Sequence, residues 1–188
     1  MYENIPELAF NLDVPEAVLQ RAKAIKLLIL DVDGVLTNGE IYITAQGEEI
    51  KAFNTLDGHG LKMLQKTGVQ LAIITGRDAA GVGHRVRGLG IDHYLAGIHD
   101  KRTAYLNLIA QLGLSQEQCA YVGDDVVDLP VMVRCGLPIA VPSAHNWVIH
   151  YADYVTQAAA GLGAVREACE MIMWAQGSLQ DALTEYVL

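Results

Sequence analysis

Six short apolar runs recur along the chain: KLLILD (26–31), VQLAIIT (69–75), HYLAG (93–97), CAYVGD (119–124), LPIAV (137–141) and DYVT (153–156). Runs this short, with so little polar alternation, describe strands covered on both faces, the situation of a parallel sheet. Helical spacing fills the gaps, at 58–68, 78–90, 100–113, 127–136 and 163–176, with a further stretch at 15–25 ahead of the first run. Several of these close on a glycine, which suits the left-handed position after a helix. The rhythm predicts an α/β fold, a doubly wound parallel sheet. A hydrophobic share of 52% against 19% charged residues agrees with a large interior. One segment departs from the rhythm: GEIYITAQGEEIKAFN (39–54) reads as two strands turning at Gln46 and Gly47. Alternation through Ile41, Ile43, Ile50 and Ala52 predicts a hairpin over about 40–54 with one apolar side.

At 188 residues the chain fits one domain, 1–188, with no repeat or linker and a tail at 177–188. No apolar run approaches the ~20 residues of a membrane-spanning helix, and MYENIPELAF lacks the basic start and apolar centre of a signal peptide. Both point to a cytoplasmic protein without a membrane partner. Cys119, Cys135 and Cys169 are odd in number and lie in apolar segments, so they read as buried free thiols. A net charge of -9 argues against nucleic acid as a partner.

The first run ends in two acids, Asp31 and Asp33. Residues two apart in an extended chain project to the same side, so both can face one cavity while Val32 turns inward. Open parallel sheets bind ligands beyond the carboxyl ends of their strands, where this chain also places Thr75-Gly76-Arg77, Lys101 and Gly123-Asp124-Asp125. Taken singly, each is an ordinary loop residue. Together, Asp31, Asp33, Asp124, Asp125 and Asp128 would crowd one rim, and like charges ~4 Å apart repel by about 4 kcal/mol at an effective dielectric near 20. Such a cluster calls for a cation. Oxygen ligands alone, and few of them, favour Mg²⁺. The spacing of an EF-hand is excluded, since Gly34 and Val35 occupy the fourth and fifth positions. An ionised aspartate beside Mg²⁺ can attack phosphorus, while a second acid protonates the leaving alkoxide and later activates water.

At these residues the chain resembles the haloacid dehalogenase superfamily of phosphatases, whose four motifs appear in order as DVDGVLT (31–37), TGR (75–77), Lys101 and GDDVVD (123–128). The resemblance implies a Rossmann-like fold, with Asp31 as nucleophile and metal ligand. Asp33 would be the general acid/base and give its backbone carbonyl to Mg²⁺. Thr75 and Lys101 would hold phosphoryl oxygens, Asp124 would complete the metal ligands, and Gly76, Asp125 and Asp128 would support them. From about Lys26 to Gln176 the similarity narrows to the capless family of 3-deoxy-D-manno-octulosonate 8-phosphate phosphatases. It rests on NGEIYI, FNTLDGHGL, YVGDDVVDLPVM, ADYVT and GAVREACEMIMWAQG. In that family the segment matching Asn54, Thr55, Leu56, Asp57 and Gly58, the arginines matching Arg77 and Arg85, and the lysine matching Lys101 contact the sugar acid phosphate. His93 matches a frequent family histidine. AAGLGAVRE departs from the family's Gly-Gly-x-Gly pattern at Ala160 and Leu162, which removes support for an anion contact there.

A phosphatase for a related nine-carbon sugar acid phosphate is the nearest alternative. A receiver domain would place its acidic pair before its phosphorylated aspartate and lacks Asp-x-Asp-Gly. A noncatalytic assembly subunit would lose Asp31 or Asp33, and both are present. The hairpin turn is short, and 77–101 has room for one helix and one strand, so no cap domain fits. A second protomer is then expected to wall the site, and the family resemblance implies a homotetramer whose tail reaches a neighbouring site.

Overall fold

The computed structural model describes residues 13–187. The stretch MYENIPELAF, read above for a signal peptide, and the last tail residue, Leu188, lie outside the described residues. In chain order the elements begin with α1 (Glu16–Ala22), β1 (Leu27–Leu30), the hairpin strands β2 (Tyr42–Ile43) and β3 (Glu49–Ile50), α2 (Thr55–Lys66) and β4 (Gln70–Ile74). They continue through α3 (Ala80–Leu89), β5 (His93–Leu95), α4 (Lys101–Leu112), β6 (Cys119–Gly123), α5 (Leu129–Met132) and β7 (Leu137–Ala140). The last are α6 (Asn146–Tyr151), β8 (Tyr154–Val155), α7 (Ala164–Ala175) and α8 (Leu179–Thr184).

Six strands form one parallel sheet in the order β5-β4-β1-β6-β7-β8. All six expected strands are present, and among the described residues there is no cap domain. Every residue of β1, β6 and β7 is buried, which is why their runs carry no polar alternation. Strand order reverses at β1: the chain first builds outward through β4 and β5, then crosses to β6 on the other side. Diverging connections leave a crevice above β1 and β6, the switch point at which such sheets bind ligands.

Helix α2 begins three residues earlier than the glycines at 58 and 60 suggest, because the Asn54 side chain accepts a hydrogen bond from the Leu56 amide at 2.7 Å and caps it. Helices α6 and α8 were not expected. Each is six residues long, too short for a hydrophobic period to show. The three cysteines are buried and free. The tail is ordered against its own chain: Leu179 is buried, Lys66 pairs with Glu185 at 2.8 Å, and the His59 and Tyr186 rings meet edge to face at 5.3 Å.

The hairpin forms, but its register corrects one expectation. Tyr42 stands opposite Ile50 and Ile43 opposite Glu49. Directly opposed residues share a face, so Ile50 lies with Tyr42, and Ile41 and Ile43 lie with Glu49 and Lys51. The apolar residues are therefore split between both faces. Ile41, Tyr42, Ile43 and Ile50 are all exposed.

Candidate active site

Asp31 follows β1 directly, and its amide still donates to Val122 of β6 at 3.1 Å, so the strand pairing itself fixes this backbone. Val32 is fully buried beneath it, as the two-residue spacing requires. A crevice of about 300 Å³ opens here, bounded by Asp31, Asp33, Thr75, Arg77, Lys101 and Asp124. Gly76 and Asp125 also line it. Asp31 accepts from the Val32 amide at 2.7 Å and lies 3.0 Å from the Lys101 ammonium. Lys101 opens α4 and is itself buried, with its ammonium 2.8 Å from Asp128. Asp128, fully buried, accepts from Lys101 and from the Tyr121 hydroxyl at 2.6 Å through one oxygen. Its other oxygen accepts from the Asp124 and Asp125 amides at 3.0 and 3.3 Å.

Both oxygens of Asp128 are thus occupied by the protein, and its charge holds Lys101 and the turn after β6 in place. Oxygens of Asp31, Asp124 and Asp128 can all lie within 4.8 Å of one another. Burial, and then the charge of Asp128, push the Asp31 carboxyl up to about 6 against the pull of Lys101. Burial, followed by the charges of Asp128, Asp31 and Asp125, pushes Asp124 up to about 7. Burial alone would lower Lys101, but Asp128 and Asp31 override it and hold the ammonium above the ordinary lysine value. With Asp128 satisfied and Lys101 shared, a surplus of negative charge remains between Asp31 and Asp124. An acidic, all-oxygen donor set of this kind suits a hard divalent cation.

Several residues expected at the site stand elsewhere. Asp57 is buried and accepts from the Arg166 and Gly163 amides at 2.8 and 3.3 Å, at the start of α7. There a carboxylate meets the free amides and the positive end of the helix. Burial raises its pKa. Asn54 caps α2 and donates to the Gly161 carbonyl at 3.2 Å, while Thr55 and the exposed Leu56 begin that helix. Arg85 donates to the Asn54 carbonyl at 3.2 Å, and its guanidinium lies 6.0 Å from the Phe53 ring centre. Gly58, Arg85 and the other residues of 54–58 are not among those lining the crevice. His93 begins β5 and sits 3.4 Å from Gln70 at the start of β4, so it lies at the amino end of the sheet, opposite the crevice. The loop at AAGLG has a packing role: a Cβ on Gly161, at φ +64°, would come within 2.7 Å of the backbone at Thr37 and Asn38. Only glycine allows that approach to the first motif.

Further residues at the site were not anticipated. Ile98 and His99 reach the crevice ahead of Lys101. Lys51 comes from the hairpin and pairs with Asp33. Tyr121 is fully buried within β6, where its hydroxyl reads from sequence as part of an apolar strand. Tyr121→Phe is expected to lower unfolding stability by about 1–3 kcal/mol, because the buried Asp128 carboxylate loses a donor. Calorimetry should show the midpoint falling by about 2–4 °C per kcal/mol; an unchanged midpoint would remove Tyr121 from the network.

The chain is similar to known proteins. A family model described as haloacid dehalogenase-like hydrolase matches residues 41–136. The 3-deoxy-D-manno-octulosonate 8-phosphate phosphatase KdsC of Escherichia coli K12 is 48% identical over 165 residues, 88% of each chain. The crystal structure of 3-deoxy-D-manno-octulosonate 8-phosphate phosphatase from Moraxella catarrhalis, in complex with magnesium ion, phosphate ion and KDO, superposes with a TM-score of 0.88. It is 43% identical, covering 90% of this chain and 97% of that one. A probable YrbI family phosphatase from Pseudomonas syringae is 49% identical with a TM-score of 0.91, covering 93% and 99%.

Proposed function

Because this chain belongs to the 3-deoxy-D-manno-octulosonate 8-phosphate phosphatase family of haloacid dehalogenase-like hydrolases, we propose that it releases phosphate from that sugar acid phosphate, in lipopolysaccharide precursor synthesis, with Mg²⁺ as cofactor. The observation that carries the mechanism is the convergence of Asp31, Asp33, Thr75, Lys101 and Asp124 on one crevice.

In the first step the Asp31 carboxylate forms a bond to phosphorus as the bond to the sugar oxygen breaks. Asp33 passes its proton to that oxygen. In the second step Asp33, now ionised, takes a proton from water as the water attacks phosphorus, which frees Asp31 and releases phosphate. Lys101 and the Thr75 hydroxyl bind phosphoryl oxygens throughout. Asp31, the Asp33 carbonyl and Asp124 would hold Mg²⁺, which when bound neutralises charge shared by the carboxylates and the phosphoryl group. Arg77 lies in the crevice and Arg85 does not, so we assign the substrate's carboxylate to Arg77.

Among the described residues, none of those lining the crevice belongs to the hairpin at 40–54. We assign the exposed Ile41, Tyr42, Ile43 and Ile50 to an interface in a cytoplasmic homotetramer. Arg85 and the start of α2 at Asn54, Thr55 and Leu56 would then serve the assembled site, while the buried Asp57 and Gly58 support it. Among the described residues no helix is long and apolar enough to cross a membrane.

Phosphate release from the eight-carbon sugar acid phosphate, from its nine-carbon relative and from a neutral hexose phosphate, each with and without Mg²⁺, tests the reading. The eight-carbon compound is expected to give the highest kcat/KM; preference for the nine-carbon compound would reassign the substrate. Asp33→Asn is expected to lower turnover of the sugar phosphate by about 10²–10⁴-fold, the range of general acid–base catalysis. An aryl phosphate, whose leaving group needs no proton, should transfer its phosphoryl group to Asp31 with a much smaller loss. Equal losses would take the proton donor's role from Asp33.

A further inference from the structure

Asp31 and Asp33 are held in different ways. The Asp31 carboxylate is fixed by the Val32 amide and by Lys101, both anchored in the main sheet and its helices. Among the described residues, the one side chain paired with the Asp33 carboxylate is Lys51, which lies one position past β3 on the hairpin. The Lys51 side chain is only 3% exposed. Burying an ammonium costs several kcal/mol unless carboxylates pair with it. Two do so: Asp33, and Glu49 at 2.7 Å. Glu49 lies in turn 3.8 Å from the Arg77 guanidinium on the crevice wall. Glu49 and Lys51 stand two apart on one arm, so both project from the same hairpin face. An exposed two-stranded ribbon thus sends one buried side chain, Lys51, toward the catalytic crevice, at the centre of an otherwise partly exposed ion-pair chain from Arg77 through Glu49 and Lys51 to Asp33.

We propose that Lys51 is a positioning residue for the reaction: its ammonium donates to one Asp33 oxygen, whether the other is protonated or ionised, and so sets where the carboxyl group stands, and Glu49 fixes Lys51 in turn. The hairpin, rather than the main sheet, then places the proton donor. A general acid must come within about 2.6–3.2 Å of the oxygen it protonates, so a carboxyl group free to rotate away loses much of its effect. Arg77 ties the same chain to the wall that meets the substrate. The inference rests on the reading of Asp33 as general acid.

The test uses the full chain with Mg²⁺. Lys51→Met keeps length and apolar bulk but removes the charge. It is expected to lower sugar phosphate turnover by about 10-fold or more, a part of what general acid catalysis contributes. Single-turnover phosphoryl transfer from an aryl phosphate should fall far less. Lys51→Arg should recover part of the sugar phosphate rate, and Glu49→Gln should show the same leaving-group pattern more weakly. A generally loosened structure would slow both substrates alike. Asp33→Asn run in parallel separates the two possible failures. If it discriminates between leaving groups and Lys51→Met does not, the positioning role is overturned while the acid remains assigned. If Asp33→Asn does not discriminate, the general-acid reading fails and the inference with it. Should Lys51→Met not fold, the Lys51→Arg and Glu49→Gln variants carry the same comparison, and equal losses on both substrates in these would overturn the proposal.

Discussion

Replacing Asp31 by asparagine is expected to lower phosphate release by more than about 100-fold, because the amide fills the same volume but is a poor nucleophile. The fold should survive, and the metal-free variant should melt above its parent near pH 7.5. The reason is electrostatic. Burial and the charge of Asp128 raise the Asp31 carboxyl to about 6, so at that pH the folded parent holds an ionised group it disfavours. A neutral amide removes that burden, and Lys101 keeps its pairing with Asp128 at 2.8 Å. Activity above a hundredth of the parent, on protein with a native melting profile, would take the nucleophile's role from Asp31.

Exhaustive chelation is expected to abolish turnover, with Mg²⁺ restoring it and Ca²⁺ restoring little, since calcium's larger and looser oxygen shell would misplace the attacking carboxylate. A second readout comes from stability. Asp31 and Asp124 are raised to about 6 and about 7, above the value of 3.8 expected in the unfolded chain. The folded metal-free protein therefore binds more protons than the unfolded chain between about pH 4 and pH 7, and stability falls as pH rises through that window. Below it, both groups are protonated in both states and the penalty disappears. A divalent cation binds the ionised carboxylates, so Mg²⁺ should raise the melting temperature more at pH 8 than at pH 5. Equal activity with Ca²⁺, activity surviving chelation, or a Mg²⁺ shift that shrinks as pH rises would refute the metal assignment.

The sheet was legible because its strands are buried on both faces, which writes them into the sequence as uninterrupted apolar runs such as KLLILD and CAYVGD. The acids were legible as a set: any one of them after a strand is an ordinary loop residue, but Asp31, Asp33, Asp124, Asp125 and Asp128 brought to one rim repel one another and call for a cation. What could not be read was anything decided by contacts between distant segments. Lys51 follows Ile50 as an ordinary hairpin residue, and nothing nearby says that its ammonium meets Asp33. Tyr121 looks like one more apolar strand residue until Asp128 folds over it at 2.6 Å. Asp57 carries the opposite lesson. It sits in a stretch shared with a family of phosphatases, yet in this chain it holds the first turn of α7. Likewise the hairpin's apolar face was misread because one-position differences in register exchange faces, and register is fixed by the turn rather than by the apolar residues alone.

The switch point between β1 and β6 also governs when during synthesis this chain can become an enzyme. Strand β1 pairs with β4 on one side and with β6 on the other. A ribosome releasing the chain from its amino end delivers β1, the hairpin, β4 and β5 long before β6. During that interval β1 has an open, wholly apolar edge on the side where β6 will lie, the exposure that invites wrong pairing. Asp31 meanwhile stands without Asp124 or Asp128 and is unable to act. Docking of β6 closes the edge and in the same event brings the three carboxylates together. Chaperone demand should therefore peak for nascent chains that end before Gly123, and a cation that bridges Asp31 and Asp124 would favour completion of the sheet.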